Sequence, residues 1–181
     1  NPAPDAFPVD AIKEISTNLL NDNPIGVLQY GISDGYTPLR DTLKKYLSEE
    51  LDVIKKNDEL IIVSGAQQVM DIAAKTFLNE NDTLICEAPS FVGALNTFRS
   101  YNVNLVGVTV EKDGMNMEEL EEKLKENKNT KLIYTIPNFQ NPSGVTMSLE
   151  KRKKLYELAK KYNVLIIGDN PYGDLRYSGE D

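Results

Sequence analysis

Histidine is missing from all 181 residues. Its absence removes the commonest general base, every His-containing catalytic triad and most zinc sites, and no metal-ligand motif takes their place. Cysteine occurs once, as Cys86. An internal disulfide is therefore impossible, which favours a reducing compartment and a cytoplasmic location. Cys86 sits in the apolar run Thr83-Leu84-Ile85-Cys86, where a small buried strand residue is expected. No apolar run approaches a membrane span and no signal peptide is visible. Positive charge is scarce: 20 Lys and Arg stand against 28 Asp and Glu, a net charge of −8. That balance argues against a general nucleic-acid surface, while leaving room for a DNA-binding domain outside this chain. Two phosphate-binding signatures are also lacking. No Gly-Lys-Ser/Thr completes a P-loop, and no three-glycine fingerprint marks a dinucleotide site.

What is present is enough for one sizeable core, at 40% hydrophobic content. Residues 1–8 read as a proline-rich extended entry, and Ile12, Ile15 and Leu19 then recur on one helix face. Thr37 can cap a second helix with Pro38 at its first position and Leu39, Leu43, Tyr46 and Leu47 as its buried stripe. From Glu59 onward strand and helix alternate. Strands are expected at Leu60–Val63, Thr83–Cys86, Asn104–Val108, Lys131–Ile136 and Asn163–Gly168. The helices between them show apolar faces at Met70, Ala73, Ala74 and Phe77; at Ala94, Phe98 and Tyr101; at Met117, Leu120 and Leu124; and at Leu155, Leu158, Ala159 and Tyr162. Lys112-Asp113-Gly114 reads as a turn, and Asn116 with Glu119 as a capping box. Continuous apolar strands alternating with helices imply the α/β class. The expected form is a three-layer α/β/α arrangement around a mostly parallel sheet.

Such sheets bind ligands at the carboxyl ends of their strands, and chemistry-bearing residues gather at those ends. Ser64-Gly65-Ala66-Gln67-Gln68 joins a strand to a helix. Free N–H groups and the helix dipole there suit a phosphate, although an ordinary turn has the same wording. Phe91, after Ala88-Pro89-Ser90, could stack on a flat ring or simply fill a core. Asp169 follows an apolar strand and would be desolvated, so it needs a cation such as a protonated pyridine nitrogen, unless it only caps a local turn. Tyr172 and Asn141 could both donate to a phenolic oxygen.

Taken together, these residues resemble the class I/II, fold-type I aminotransferases that use pyridoxal 5′-phosphate (PLP). The motifs are Gln29-Tyr30 with Gly35-Tyr36-Thr37-Pro38-Leu39-Arg40, Ser64-Gly65-Ala66-Gln67-Gln68, Ala88-Pro89-Ser90-Phe91, Asn141-Pro142-Ser143-Gly144 and Asp169-Asn170-Pro171-Tyr172. The resemblance runs over essentially the whole chain. It implies an N-terminal arm and small-domain approach in residues 1–35 and a partial PLP-binding large domain in residues 36–181. Asp169 would pair with the pyridinium nitrogen, Asn141 and Tyr172 would hold the ring O3′, and Phe91 would cover one ring face. Gly65, Ala66 and Gln67 would bind the phosphate, and Tyr30 would reach the phosphate of a neighbouring subunit in a homodimer. The Asn141-Pro142 bond is expected to be cis, and Pro171 stands where the family often has an alanine. The wording Phe139-Gln140-Asn141-Pro142-Ser143-Gly144 is most similar to the branch acting on 2-aminoadipate, aromatic or branched-chain amino acids. Nothing here matches the family's Schiff-base lysine or its carboxylate-gripping arginine, so a fragment without the catalytic base is expected. The alternative is an aminotransferase-like effector domain of a winged-helix transcription regulator, with a β-eliminating lyase as a third possibility.

Overall fold

The computed structural model describes residues 3–49 and 52–178. Asn1 and Pro2 of the expected extended entry lie outside them, as does the terminal Gly179-Glu180-Asp181. The chain divides into two compact units, Asn1–Val63 and Ser64–Asp181.

The first unit is helical. A 3-10 turn at Pro4–Ala6 interrupts the entry that was expected to be extended. Helix α1 spans Val9–Asp22, α2 spans Pro24–Leu28 and α3 spans Thr37–Glu49. α1 stops because Pro24 has no N–H to continue the ladder. Asn23 then accepts from Gly26 N at 3.1 Å and restarts the chain as α2, an element the sequence pattern did not announce. Thr37 is itself the first residue of α3 rather than its cap. Leu43 and Leu47 on that helix are half-buried, whereas Leu39 and Tyr46 are exposed. Leu60–Val63 is not a strand. An apolar run becomes a strand only beside a laterally paired partner. Here the backbone groups go to local ones instead: Arg40 Nε donates to Leu60 O at 2.7 Å, and Ile62 N to Asp34 O at 3.0 Å.

The second unit is the α/β layer structure. Strands β1 (Thr83–Ala88), β2 (Asn104–Glu111), β3 (Gly114–Met115), β4 (Thr130–Thr135) and β5 (Leu165–Gly168) form one sheet in the order β3-β2-β1-β4-β5. β1 pairs in parallel with β2 and β4, and β4 with β5. Only β3 is antiparallel, returning on β2 through the Lys112-Asp113 turn with Val110 opposite Met115. The helices are α4 (Ala66–Phe77), α5 (Val92–Ser100), α6 (Met117–Glu126) and α7 (Leu149–Tyr162).

Strand alternation decides the two cores. Leu84 and Cys86 of β1, with Leu132 and Tyr134 of β4, face α4 and α5 and meet Met70, Ala74, Ala94 and Phe98. Ile85 and Ile133, one residue out of step, face α6 and α7 and meet Leu120, Leu124, Leu155 and Leu158. Each buried large aliphatic side chain is worth roughly 1.5–3 kcal/mol, so both faces are strongly specified. On α4 the buried set is Met70, Ala73 and Ala74, with Leu78 just beyond the helix, while Phe77 points outward. Asn116 Oδ1 accepts from Glu119 N at 2.9 Å, but the Glu119 carboxylate turns to Thr109 N rather than back to Asn116. Only half of the expected capping box forms, because Thr109 O already takes the Asn116 N–H. Cys86 is buried as expected, and burial, followed by the Glu87 charge, pushes its thiol up to about 11. No helix among the described residues is long and apolar enough to cross a membrane.

Candidate cofactor site

β1, β4 and β5 run parallel, so their carboxyl ends open on one edge. β1 leads into Pro89-Ser90-Phe91, β4 into Pro137–Asn141, and β5 into Asp169–Tyr172.

Asp169 is held at two points. Its N–H donates to Thr135 O at 2.9 Å, which extends the sheet by one more bond. Its Oδ2 accepts from the Tyr134 hydroxyl, also at 2.9 Å. Tyr134 is fully buried and meets Phe98 edge to face, with centroids 5.8 Å apart and planes at 61°. Burial, then the neighbouring Asp169 charge, raises the Tyr134 phenol above the ordinary tyrosine range. It therefore stays a donor at every physiological pH. Asp169 Oδ1 accepts from no group among the described residues, and the side chain is only half-buried. One carboxylate oxygen is thus anchored and the other is left for a ligand.

Gly65 precedes α4 at φ 78°, where an L side chain would be strained, and open space lies where its Cβ would be. The N–H groups of Ala66 and Gln67, at the start of α4, have no intrahelical acceptor. The Gln67 amide NH2 is given to Gly93 O at 3.2 Å and to the Thr97 hydroxyl. A Cβ on Gly93 would lie 2.6 Å from the Phe91 ring and 3.3 Å from Gln67 Oε1. Gly93 therefore lets the phosphate-type turn and Phe91 come together. Phe91 itself is half-buried and packs against the core.

Asn141 is half-buried on a loop whose Asn141-Pro142 bond is cis, as is Ala88-Pro89. Asn138 Nδ2 donates to Asn170 Oδ1 at 2.8 Å, which joins the Asn141 loop to the Asp169 segment. Arg152 braces the same loop by donating to Pro137 O at 3.0 Å and to Asn138 Oδ1 at 2.6 Å. Tyr172 is half-buried beside Gly173–Leu175, a 3-10 turn. Pro171 next to it is exposed. Tyr30 belongs to the first unit and is 99% exposed.

The sequence pattern passed over buried polar residues at this edge, among them Tyr134, Glu87 and Gln140. Tyr134 read as one more member of an apolar strand. Glu87 offered the clearer signal, a carboxylate breaking the run Thr83–Ala88 where only apolar residues should sit.

The family model described as aminotransferase class I and II matches residues 5–181. The chain belongs to the class I and II aminotransferases. Aromatic-amino-acid aminotransferase 1 of Thermococcus litoralis is 44% identical over 99% of this chain and 44% of that protein. The 2-aminoadipate transaminase of Thermus thermophilus is 34% identical over 99% of this chain and 43% of that protein. In fold, the Pyrococcus horikoshii kynurenine aminotransferase, solved in complex with PMP with KYN as substrate and KYA as product, superposes at TM-score 0.94. It is 42% identical over 99% of this chain and 45% of that one. This chain thus spans less than half the length of these relatives. The regulator alternative is not favoured, because these aminotransferases are more similar to the chain than the HTH-type transcriptional regulator YisV of Bacillus subtilis, which is 31% identical over 96% of this chain and 35% of that protein. The three-layer architecture is that of an incomplete fold-type I large domain.

The cofactor of these aminotransferases is PLP, and the residues present suit it. The open space at Gly65 and the helix start beside it match a phosphate. The single free oxygen of Asp169 matches a ring nitrogen carrying a proton. The amide of Asn141 and the phenol of Tyr172 are the donors a phenolic oxygen requires.

Proposed function

We propose that this chain forms most of the cofactor cradle of an aminotransferase that moves an amino group from an amino acid to a 2-oxo acid. The observation that carries the reading is Asp169, with Oδ2 fixed by Tyr134 and Oδ1 left open at the sheet's carboxyl edge. PLP, when bound, supplies an electron sink for the carbanion formed at the substrate Cα. Asp169 holds the proton on the ring nitrogen. Asn141 and Tyr172 would donate to the ring oxygen, Phe91 would cover one ring face, and Pro171 would form a stiff wall opposite. Gly65, Ala66 and Gln67 receive the phosphate through backbone N–H groups, since the Gln67 side-chain NH2 is already engaged. Residues 1–35 act as an arm and 36–181 as part of the large domain. Tyr30, with its side chain in solvent, reaches the phosphate of a second subunit in a homodimer. Substrates are aromatic amino acids or 2-aminoadipate, the compounds named for the relatives. The single buried cysteine fits a cytoplasmic protein.

The deciding experiment is the intact mass of the natural gene product after borohydride reduction with PLP. One covalent PLP on a lysine beyond Asp181 is expected. A product that takes up no PLP under these conditions would overturn the reading.

A further inference from the structure

Glu87 is a buried acid that the cofactor chemistry does not use. It sits near the end of β1, the central strand, and is 2% exposed. Among the described residues no cation pairs with it. Instead it accepts from Thr135 Oγ1 at 2.7 Å, Ile136 N at 3.1 Å and Gln140 Nε2 at 3.2 Å. A desolvated carboxylate without a cation is costly, and burial raises Glu87 above the ordinary glutamate range despite its three donors. A hydrophobic residue would cost less at this position, so the carboxylate needs a reason.

Gln140 supplies it. This side chain is also 2% exposed. Its NH2 group spans Glu87 Oε2 and Pro89 O, the latter at 2.8 Å. Its carbonyl oxygen accepts from Ser143 N at 2.9 Å and Ser143 Oγ at 2.6 Å. Both donors and both lone pairs of the amide are thereby used. Gln140 cannot shift without breaking one of these bonds, and Asn141 is its immediate neighbour in the chain. Pro89, two residues before Phe91, is held by the same amide. The loop after β1 and the loop after β4 are therefore locked by a single buried pair.

We infer that Glu87 is a positioning residue of the cofactor site. Through Gln140 it ties the Phe91 loop to the Asn141 loop and so sets the spacing between the group over the ring and the group at the ring oxygen. This inference rests on the cofactor reading above. Thr135 and Ile136, bound to the same carboxylate, belong to the segment that receives Asp169 N, so the third ring contact is held in the same frame.

The test compares the full natural chain as wild type, Glu87→Ala and Glu87→Gln, with PLP as the probe. Hydrogen exchange of the PLP-free proteins is followed at Phe91, Ile136, Gln140 and Ser143. PLP affinity and the pH titration of the bound cofactor's absorbance are then measured. Glu87→Ala should weaken PLP binding by roughly ten- to a hundred-fold, as loss of an outer partner does at other bound groups. It should also move the absorbance titration to higher pH and speed exchange at both loops together. Glu87→Gln should restore all three. Its carbonyl oxygen can serve Ile136 and Gln140, while its NH2 donates to the Thr135 hydroxyl, which can rotate to accept. Should Glu87→Ala not fold, Gln140→Ala removes the bridge with the carboxylate in place and should give the same titration shift. An unchanged affinity and titration in a variant that folds would overturn the inference and reduce Glu87 to a packing role. A wild type that fails to bind PLP would instead overturn the cofactor reading and, with it, this inference.

Discussion

Asp169, Tyr172 and Glu87 have separable chemistry. On the proposed reading, replacing Asp169 with Ala removes the carboxylate that keeps the ring nitrogen protonated. Amino-group transfer by the full natural chain should fall by at least about 10²–10³-fold. Single-turnover kinetics check this, and near-wild-type turnover would sink the assignment. On the same reading, Tyr172→Phe removes one donor from the ring oxygen. The anionic oxygen then loses stabilisation, so the apparent pKa of the bound chromophore should rise; a spectral titration that does not move would rule out that role. Glu87 makes a prediction about stability that needs no cofactor. Burial raises its pKa in the folded state above the unfolded value. Its stabilising contribution is therefore complete below the unfolded pKa and is lost as pH rises through the folded one. Glutamine at this position does not titrate. The melting temperature of Glu87→Gln minus that of wild type should grow as pH rises from the ordinary glutamate range towards neutrality. A pH-independent difference would mean that the carboxyl keeps its unfolded pKa. Asp169, Asn141 and Phe91 stood out in the sequence because they follow strands beside proline or glycine. Glu87 and Tyr134 did not, since their importance comes from hydrogen bonds made to residues far along the chain.

Among the elements, the β2–β3 hairpin is the clearest place where local wording fell short. Lys112-Asp113-Gly114 announced a turn, but not that two further residues would pair back antiparallel. The hairpin depends on Gly114. Its φ of 117° belongs to glycine, and a Cβ there would lie 2.7 Å from Met147 Cγ and 3.0 Å from Met147 Cα. Gly114→Ala should therefore cost roughly 2–4 kcal/mol, combining backbone strain with overpacking. Urea unfolding with an unchanged slope would measure it, and a loss below 1 kcal/mol would show that the hairpin can relax. Leu60–Val63 fails in the opposite sense. Its composition is that of a strand, but strand formation needs a neighbour, and here the backbone is satisfied by Arg40 and Asp34 instead. α2 was missed because a five-residue helix is too short to display a period, and it starts only because Asn23 caps it.

At the scale of the whole molecule, β5 and α1 both present exposed apolar surface. β5 is the terminal strand of the sheet, with Leu165 51% and Ile166 36% exposed, and its outer backbone edge is unpaired among the described residues. On α1, Ile12, Ile15 and Leu19 are all exposed, so the helix face read from the sequence has no cover among the described residues. Open strand edges and contiguous apolar faces favour association. The 181-residue chain should show concentration-dependent self-association in sedimentation velocity. A single monomeric species across the accessible concentration range would show these faces to be adequately solvated.

The sequence by itself determined the layers of the second unit. Helical and strand periods, together with Gly and Pro punctuation, set which residues could face inward, and these are local properties that survive any arrangement of the rest. It also carried the family, because five short motifs in order are a linear signal. The tertiary structure alone decided that Tyr134 anchors one oxygen of Asp169, that Gly93 admits Phe91 beside Gln67, and that Glu87 locks two loops through Gln140. Each joins groups that the chain places far apart. The parallel register of β1, β4 and β5 brings the Asp169 and Glu87 groups within hydrogen-bonding distance, and the packing of α4 beside α5 does the same for Gln67 and Gly93.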